Sequence, residues 1–145
     1  MKFKTTCNGE IEYSEKDILT FKKGIPGFKD LNKFVIAGIE GNDVFKLLQS
    51  IENPDIALVL VSPFDVMKEY EVELNEEITK ELCIEKPEDV VLYNVVTVNS
   101  DVKKITANFM APIVINISNN FGEQLILEKS HYKIKQPIFR GEWLC

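Results

Sequence analysis

Short runs rich in valine, isoleucine, phenylalanine, tyrosine and threonine, separated by glycine, proline and asparagine, constrain the fold of this chain more than any other feature. β-Branched and aromatic residues favour strands, and the intervening residues favour turns. The clearest runs are residues 16–21, 33–39, 44–50, 56–62, 89–98, 113–118 and 123–128. Residues 56–62 (IALVLVS) are apolar on both faces, which predicts a strand buried on both sides. Residues 89–98 (DVVLYNVVTV) alternate little, which predicts a central strand.

Four short segments are predicted to turn the chain between these strands. Gly24-Ile25-Pro26-Gly27 supplies the proline and glycine that a type II turn requires. Residues 40–43 and 119–122 are predicted to close hairpins, and residues 53–55 (NPD) lead the chain into the strand at 56–62. Pro112 interrupts the apolar run that contains it, which indicates an edge, a bend or a bulge.

One short helix is predicted near residues 75–83. Asn75 is a suitable N-cap, and the two glutamates that follow it lie near the positive end of the helix dipole. Ile78 and Leu82 form an apolar pair with the i, i+4 spacing of one helix face.

About a dozen short strands with one short helix predict a mainly β fold. An open sheet of that many strands would expose its edges, so we expect a compact, antiparallel β-barrel-like structure or a strongly bent sheet. The 145 residues fit a single domain spanning residues 1–145, with 141–145 as a short tail.

The charge balance and the cysteine pattern limit the classes of function. The chain has 23 acidic and 17 basic residues and a net charge of −6, which disfavours nucleic-acid binding and suits a basic protein partner. No apolar run approaches the roughly 20 residues that span a bilayer, and the N-terminal residues lack a signal-peptide pattern. Three widely spaced cysteines fit neither a disulfide framework nor a metal site. We therefore expect a cytoplasmic protein that does not bind membranes.

A row of carboxylates follows the strand at 56–62. The alternation Glu69-Tyr70-Glu71-Val72-Glu73-Leu74 predicts an exposed strand with three glutamates on one face, and Asp65 precedes it. Three interpretations are open: a solvated face or charged edge that resists aggregation, a docking surface for a basic protein, or a divalent-cation or acid/base site. Catalysis is disfavoured, because exposed carboxylates lack the burial that separates catalytic pKa values.

The sequence contains no recognisable catalytic, metal or cofactor site. His131 is the only histidine, and no local motif joins it to Cys7 or Cys83 as a nucleophile. Ser62 lacks the Gly-x-Ser-x-Gly context of a nucleophile elbow, and no glycine-rich phosphate loop is present. We therefore predict a protein that is not an enzyme and that uses no metal and no cofactor.

A competing interpretation is a small-molecule-binding β-barrel protein or an enzyme of unknown substrate. It would need a deep pocket with converging polar groups, for which Gln49, Asn94 and Asn108 are the internal candidates. Buried amides more often bond backbone groups at bulges and bends.

The C-terminal segment 132–145 ends in Trp143-Leu144-Cys145. An aromatic residue at a chain end suggests an anchor for a partner, since tryptophan is enriched at binding hot spots. The alternative is that part of the segment closes the barrel while its last residues fray or dock on the chain itself.

Five motifs, in this order along the chain, resemble the signature of the flagellar assembly factor FliW family. They are Phe21-x-x-Gly24-Ile25-Pro26-Gly27-Phe28, Leu48-Gln49-Ser50, Ser62-Pro63-Phe64, Thr106-Ala107-Asn108 with residues 111–116 (APIVIN), and Tyr132-x-x-x-Gln136-Pro137. The resemblance covers roughly residues 9–139. Gln136 stands where the family more often has histidine, and residues 141–145 look like an extension particular to this chain.

The resemblance implies a cytoplasmic, non-enzymatic, β-barrel-like binding protein with two alternative partners. One is flagellin, held in the cytosol before export. The other is CsrA, the carbon storage regulator, a small dimeric RNA-binding protein that blocks translation of flagellin mRNA. Stored flagellin would occupy the protein and leave CsrA free to repress, and export of flagellin would free the protein to bind CsrA and lift the repression.

The resemblance and the acidic row together suggest which residues meet a partner. We expect Asp65, Glu69, Glu71 and Glu73 to be electrostatic contacts to CsrA, and Phe64 to be an apolar anchor. Scaffold roles, which shape turns without touching a partner, are expected for Gly24, Pro26, Gly27, Pro112 and Asn116.

Overall fold

The computed structural model describes residues 1–6, 9–25, 27–39, 41–128 and 130–138. The predictions for Cys7, for the turn through Pro26 and for the segment 139–145, which includes Trp143-Leu144-Cys145, concern positions outside the described residues.

The described residues form short strands and a single turn-and-a-half of α-helix. In chain order the strands are β1 Lys2–Lys4, β2 Glu10–Glu12, β3 Leu19–Thr20, β4 Lys33–Ile39, β5 Asn42–Ser50, β6 Ala57–Val61, β7 Val90–Thr97, β8 Thr106–Ala107, β9 Ile113–Asn116, β10 Phe121–Gln124 and β11 Gln136–Pro137. Helix α1 spans Glu76–Glu81, and 3₁₀ turns occur at Glu15–Asp17, Pro63–Asp65, Pro87–Asp89 and Val102–Lys104. The predicted mainly β fold with one short helix is confirmed.

Strands β3, β4, β5, β6, β7, β9 and β10 close into a ring. Each strand from β3 to β7 pairs with the next, β7 also pairs with β9, and β9 pairs with β10, which returns to β3. The β3–β10 contact, between Thr20 and Phe121, is parallel, and the other pairings of the ring are antiparallel. β8 and β11 extend the sheet beside β7, while β1 and β2 form a separate hairpin. The predicted barrel-like closure is confirmed, and it leaves each strand of the ring with two neighbours.

The two least alternating strands lie in the middle of the sheet, as predicted. β6 lies between β5 and β7, and its adjacent residues Leu60 and Val61 are both fully buried. Because adjacent side chains of a strand point to opposite faces, β6 is buried on both. β7 pairs with β6 along one edge and with both β8 and β9 along the other.

The predicted interruption at Pro112 separates β8 from β9. Residues 108–112 belong to neither strand, and the Asn108 side-chain oxygen accepts hydrogen bonds from the N–H groups of Met110 and Ala111, both at 3.1 Å. The Asn94 side-chain amide donates to the Asn108 carbonyl at 2.7 Å. Two of the internal amides therefore satisfy the backbone where the chain bends, as buried amides commonly do.

The predicted strand at 16–21 is wrong over its first half. Glu15–Asp17 forms a 3₁₀ turn, and β3 keeps only Leu19–Thr20. The Ser14 backbone N–H and hydroxyl both bond the Asp17 carboxylate, at 2.9 and 3.2 Å. This local capping arrangement competes with strand pairing, and residues 15–17 therefore form a turn and not a strand.

The predicted turn at 119–122 lies two residues too late. The observed turn is 117–120, and residues 121 and 122 already belong to β10. The Asn116 side-chain oxygen accepts from the Ser118 N–H at 3.0 Å, and the Asn119 side-chain oxygen accepts from the Phe121 N–H at 3.0 Å. Asn120 has φ +60°, a conformation that asparagine tolerates. Asparagine side chains thus set this turn.

Helix α1 begins at the predicted cap and is tied to the barrel at its end. The Asn75 side-chain oxygen accepts from the Ile78 N–H at 2.8 Å, and the predicted pair Ile78 and Leu82 is buried. The Asn116 side-chain amide donates to the carbonyls of Leu82 and Cys83, at 2.8 and 3.2 Å. These bonds satisfy carbonyls that a helix C-terminus leaves without partners.

Phe21 fills the centre of the barrel core and needs a glycine beside it. It is fully buried, and its ring meets that of Phe34 edge-on at 5.5 Å between centroids. A Cβ atom on Gly122 would lie 2.7 Å from the Phe21 ring. Gly24 is constrained twice, because its φ is +68° and a Cβ there would lie 2.6 Å from the backbone of Lys29.

Candidate protein-binding surface

Phe64 and Asp65 lie in the 3₁₀ turn that follows β6. Pro63 is buried at the start of this turn, and its carbonyl accepts from the Met67 N–H at 2.8 Å. Phe64 is 47% exposed, and its ring centroid lies 6.3 Å from that of Tyr70. The turn therefore presents an aromatic side chain and a carboxylate at the surface, directly before the acidic row.

The acidic row, Glu69 to Leu74, alternates as predicted but is not a strand of any sheet. Its three glutamates are exposed, whereas the side chains between them are buried or half-buried: Tyr70, Val72 and Leu74. The predicted facing is confirmed and the predicted strand is wrong. Side-chain contacts, and not the backbone hydrogen bonds of a sheet, hold this segment on the barrel. Its apolar side chains pack inward, and the Glu71 N–H donates to the Tyr132 hydroxyl at 3.0 Å.

Tyr70 is the strongest attachment of this segment. Its side chain is buried, and its hydroxyl donates to the Phe109 carbonyl at 2.6 Å. Its ring lies 5.0 Å from the ring of Phe109 and 4.6 Å from that of Tyr132, between centroids. Burial raises the pKa of Tyr70 to about 12, so the hydroxyl stays protonated and remains a donor near neutral pH.

The four carboxylates predicted to meet a partner, Asp65, Glu69, Glu71 and Glu73, are exposed and make no ion pair with any described residue. The ion pairs in the described chain lie elsewhere: Lys2 meets Glu10, and Lys23 meets a separate group of glutamates. The carboxylates of the row are therefore available to a positively charged partner.

The five predicted residues do not share one concave site. Glu69 borders a cleft with Lys68 and with residues 136–138 of the C-terminal segment. Glu71 and Glu73 border a second cleft, which we call the acidic groove; its described lining residues are Glu71, Glu73, Asn75, Leu125, Ile126, Leu127, Glu128 and Ser130.

Sequence reasoning missed the far wall of the acidic groove. Ile126 is 57% exposed, and Glu128 adds a third carboxylate to the rim. The alternation of residues 125–128 (LILE) could have shown that Ile126 and Glu128 face outward, but not that they lie opposite Glu71 and Glu73.

A second charged cluster joins Lys23 to helix α1 and strand β10. Lys23 Nζ lies 2.8 Å from Glu81, 3.6 Å from Glu123 and 3.9 Å from Glu77. Burial, together with the neighbouring Glu81, raises the pKa of Glu123 to about 7. The neighbouring Glu123 and then the hydrogen bond from Lys23 lower the pKa of Glu81, and the same bond to Glu81 raises the pKa of Lys23. Glu123 therefore titrates near neutral pH beside an ionised Glu81 and one lysine.

The internal amides of the competing interpretation bond backbone groups. Gln49 is fully buried, and its side-chain amide donates to the carbonyls of Ser50 and Ile56, at 2.9 and 3.0 Å. The clefts found on the described part of the chain are lined by other residues than Gln49, Asn94 and Asn108.

Other candidate chemistry is dispersed over the described residues. His131 is exposed, with its ring centroid 4.7 Å from that of Tyr132, and Cys83 is an exposed free thiol. Within the described ranges, no three His, Cys, Asp or Glu side chains are grouped so that they could hold a metal ion. No helix in the same ranges is both long and apolar enough to cross a membrane.

Fold and surface together define a small, acidic β-barrel protein with an exposed carboxylate row. A family model described as "FliW protein" matches residues 2–138. The flagellar assembly factor FliW of Clostridium kluyveri is 52% identical over 145 residues, and that of Clostridium tetani is 50% identical over 145 residues; each match covers all of both chains. A crystal structure of the flagellar assembly factor FliW is similar with a TM-score of 0.89 and 39% identity, covering 98% of this chain and 99% of that one. The chain belongs to the FliW family of flagellar assembly factors, which confirms the resemblance seen in its motifs.

Proposed function

We propose that this protein binds flagellin and, alternatively, the translational regulator CsrA, and that it relieves CsrA repression of flagellin mRNA by exchanging one partner for the other. The protein acts in the cytoplasm, without catalysis and without binding RNA itself. The exchange requires only that the two partners exclude or weaken each other, which is a coupling free energy between two binding events.

One observation carries the proposal: an exposed acidic row, which forms no ion pair with any residue that the structure describes, is held on the barrel by buried side chains. Because Tyr70 is buried and hydrogen-bonded, the row is ordered before a partner arrives. An ordered surface loses less conformational entropy on binding than a flexible one. Carboxylates at a rim act mainly by steering a basic partner and by fixing its orientation. Asp65, Glu69, Glu71 and Glu73 take this role, and the half-exposed Phe64 supplies apolar contact area.

The proposal is tested by titration calorimetry of the protein with CsrA from the same organism, repeated after saturation with flagellin. Binding of CsrA that flagellin abolishes is the expected result. If neither protein gives heat, or if flagellin leaves CsrA binding unchanged, the exchange does not occur.

The carboxylate contacts are tested by the double variant Glu71→Lys with Glu73→Lys. We expect it to weaken CsrA binding by about tenfold or more, because two attractive charges become repulsive. The control is Glu12→Lys with Glu15→Lys, two exposed glutamates outside the row whose replacement changes the net charge equally. Affinity that stays within about a factor of two in the first variant, or an equal loss in the control, would exclude Glu71 and Glu73 as specific contacts.

A further inference from the structure

The acidic groove separates two chain segments that lie side by side without hydrogen bonds between them in the described chain. One is the acidic row with Asn75, and the other is residues 125–128 with Ser130. The strands of the ring, in contrast, are joined by ladders. The groove is therefore a gap between two segments that lie outside the closed ring and that no ladder joins.

Both walls offer backbone groups to this gap. The N–H groups of Leu125 and Leu127 donate away from the groove, to the carbonyls of Pro112 and Met110 at 2.9 and 2.7 Å. Backbone groups of alternate residues point to opposite sides of an extended segment, so the N–H group of Ile126, between Leu125 and Leu127, points the other way. It has no partner among the described residues.

The acidic row, which forms the opposite wall, also has an N–H group without a partner among the described residues. The Glu71 N–H already meets the Tyr132 hydroxyl, on the side of the C-terminal segment. Glu73 is two residues further on, so its backbone faces the same side, and its N–H has no partner among the described residues.

The side chains around the gap specify what can occupy it. Both walls turn apolar side chains onto one core cluster, so the floor of the groove is apolar; these side chains are Val72, Leu74, Leu125 and Leu127. The rim carries the carboxylates of Glu71, Glu73 and Glu128, and Ile126 is exposed between them. None of the described lining residues is basic. A ligand that matches this surface has a backbone free to pair, small apolar side chains and positive charge.

We propose that the acidic groove binds an extended, lysine- or arginine-bearing segment of a protein partner by β-strand addition, in which the segment pairs with the backbone of Ile126 on one wall and of Glu73 on the other. Strand addition obtains affinity from main-chain hydrogen bonds and specificity from alternate side chains. A helix could not use the free backbone groups of either wall. The inference rests on the proposed function in treating this face as protein-binding, and it adds the conformation and charge of the segment that is bound.

The test uses a capped hexapeptide of alternating lysine and valine as the probe, with an alternating glutamate and valine hexapeptide as its control. Backbone amide signals of the isotope-labelled protein are followed by NMR during titration and hydrogen exchange. We expect the lysine peptide to bind with a Kd of about 1 mM or tighter, and to shift and protect the amides of Glu73 and Ile126. The proposal is overturned if the lysine peptide does not bind, if the protected amides lie elsewhere, or if the glutamate peptide binds equally, which would leave a charged edge that only resists aggregation.

A pair of variants separates the backbone of Ile126 from its side chain. Ile126→Pro removes the N–H that the added strand would use, whereas Ile126→Ala keeps the N–H and shortens the side chain. We expect the proline variant to lose about fivefold or more in peptide affinity and the alanine variant about twofold. Equal losses would contradict strand pairing. If the proline variant does not fold, the amide protection of the unmodified protein still decides the question.

Failure of the inference is distinguishable from failure of the proposed function. Peptide binding in the groove by a protein that gives no heat with flagellin or CsrA would remove the proposed function and keep the groove. Binding of flagellin and CsrA without binding of the peptide would keep the proposed function and remove the groove as a site of strand addition.

Discussion

Replacing Glu123 with glutamine should stabilise the protein above neutral pH while changing it little in mild acid. The Glu123 side chain is 17% exposed and lies 3.6 Å from Lys23 Nζ, and burial, together with the neighbouring Glu81, raises its pKa. Its pKa is about 7 in the folded protein, against 4.5 for an unperturbed glutamate. A glutamine has nearly the same shape and, like the protonated carboxyl, is uncharged and can donate a hydrogen bond.

The direction in which the free energy of unfolding changes with pH follows from proton binding. Between about pH 4.5 and pH 7 the folded state holds a proton on Glu123 that the unfolded chain has already released, so the free energy of unfolding falls as pH rises through this window. The full difference between the two pKa values corresponds to about 3 kcal/mol. Because the Glu81 side chain, the neighbouring charge that helps to raise this pKa, is itself 32% exposed, we expect screening to reduce the effect to about 1–2 kcal/mol. The lowered pKa of Glu81 acts at lower pH with the opposite sign, since its stabilisation is lost as pH falls below 4.5.

The assay is urea unfolding, followed by far-UV circular dichroism, of the wild type and Glu123→Gln across this pH range. The variant should be more stable by about 1–2 kcal/mol at about pH 8 and by less than about 0.5 kcal/mol at about pH 5. Glu77→Gln is the matched control, because Glu77 lies 3.9 Å from the same lysine but is 74% exposed; it should change stability by less than about 0.5 kcal/mol at either pH. A difference for Glu123→Gln that does not grow with pH would refute the assignment of a raised pKa to this carboxyl.

Two further predictions concern the core and the attachment of the acidic row. Gly122→Ala should lower the free energy of unfolding by about 2 kcal/mol or more, because the new Cβ atom would overlap the Phe21 ring. The control is Gly38→Ala, which has nothing within 4 Å of its Cβ position and should lower it by less than about 0.5 kcal/mol. Equal effects in urea unfolding would contradict the packing argument. Tyr70→Phe should cost about 1–2 kcal/mol in the same assay, because a buried carbonyl loses its donor while the ring contacts remain, and an unchanged unfolding midpoint would show that the hydroxyl contributes little.

The local sequence determined those strands and the helix that depend on interactions between residues close in the chain. The strands at 33–39 and 56–62 follow from runs of β-branched and apolar residues bounded by turn residues, and both appear where they were predicted. The helix follows from an N-cap and an i, i+4 apolar pair, which act over a few residues. Alternation also determined that Glu69, Glu71 and Glu73 face outward, because any extended segment with one apolar face exposes the other.

Tertiary structure decided which segments become neighbours, and with it the geometry of the candidate site. The acidic row looks like a strand in sequence, but its backbone finds no ladder, because side chains of distant segments hold it in place instead: Tyr70 bonds the chain at residue 109, and Tyr132 bonds the row. The far wall of the groove and the carboxyl pair of Glu81 and Glu123 arise in the same way, from contacts between segments that are distant in the chain. Sequence periodicity specifies the face on which a side chain lies, whereas its partner across a gap depends on contacts between segments remote in the chain, which no local pattern encodes.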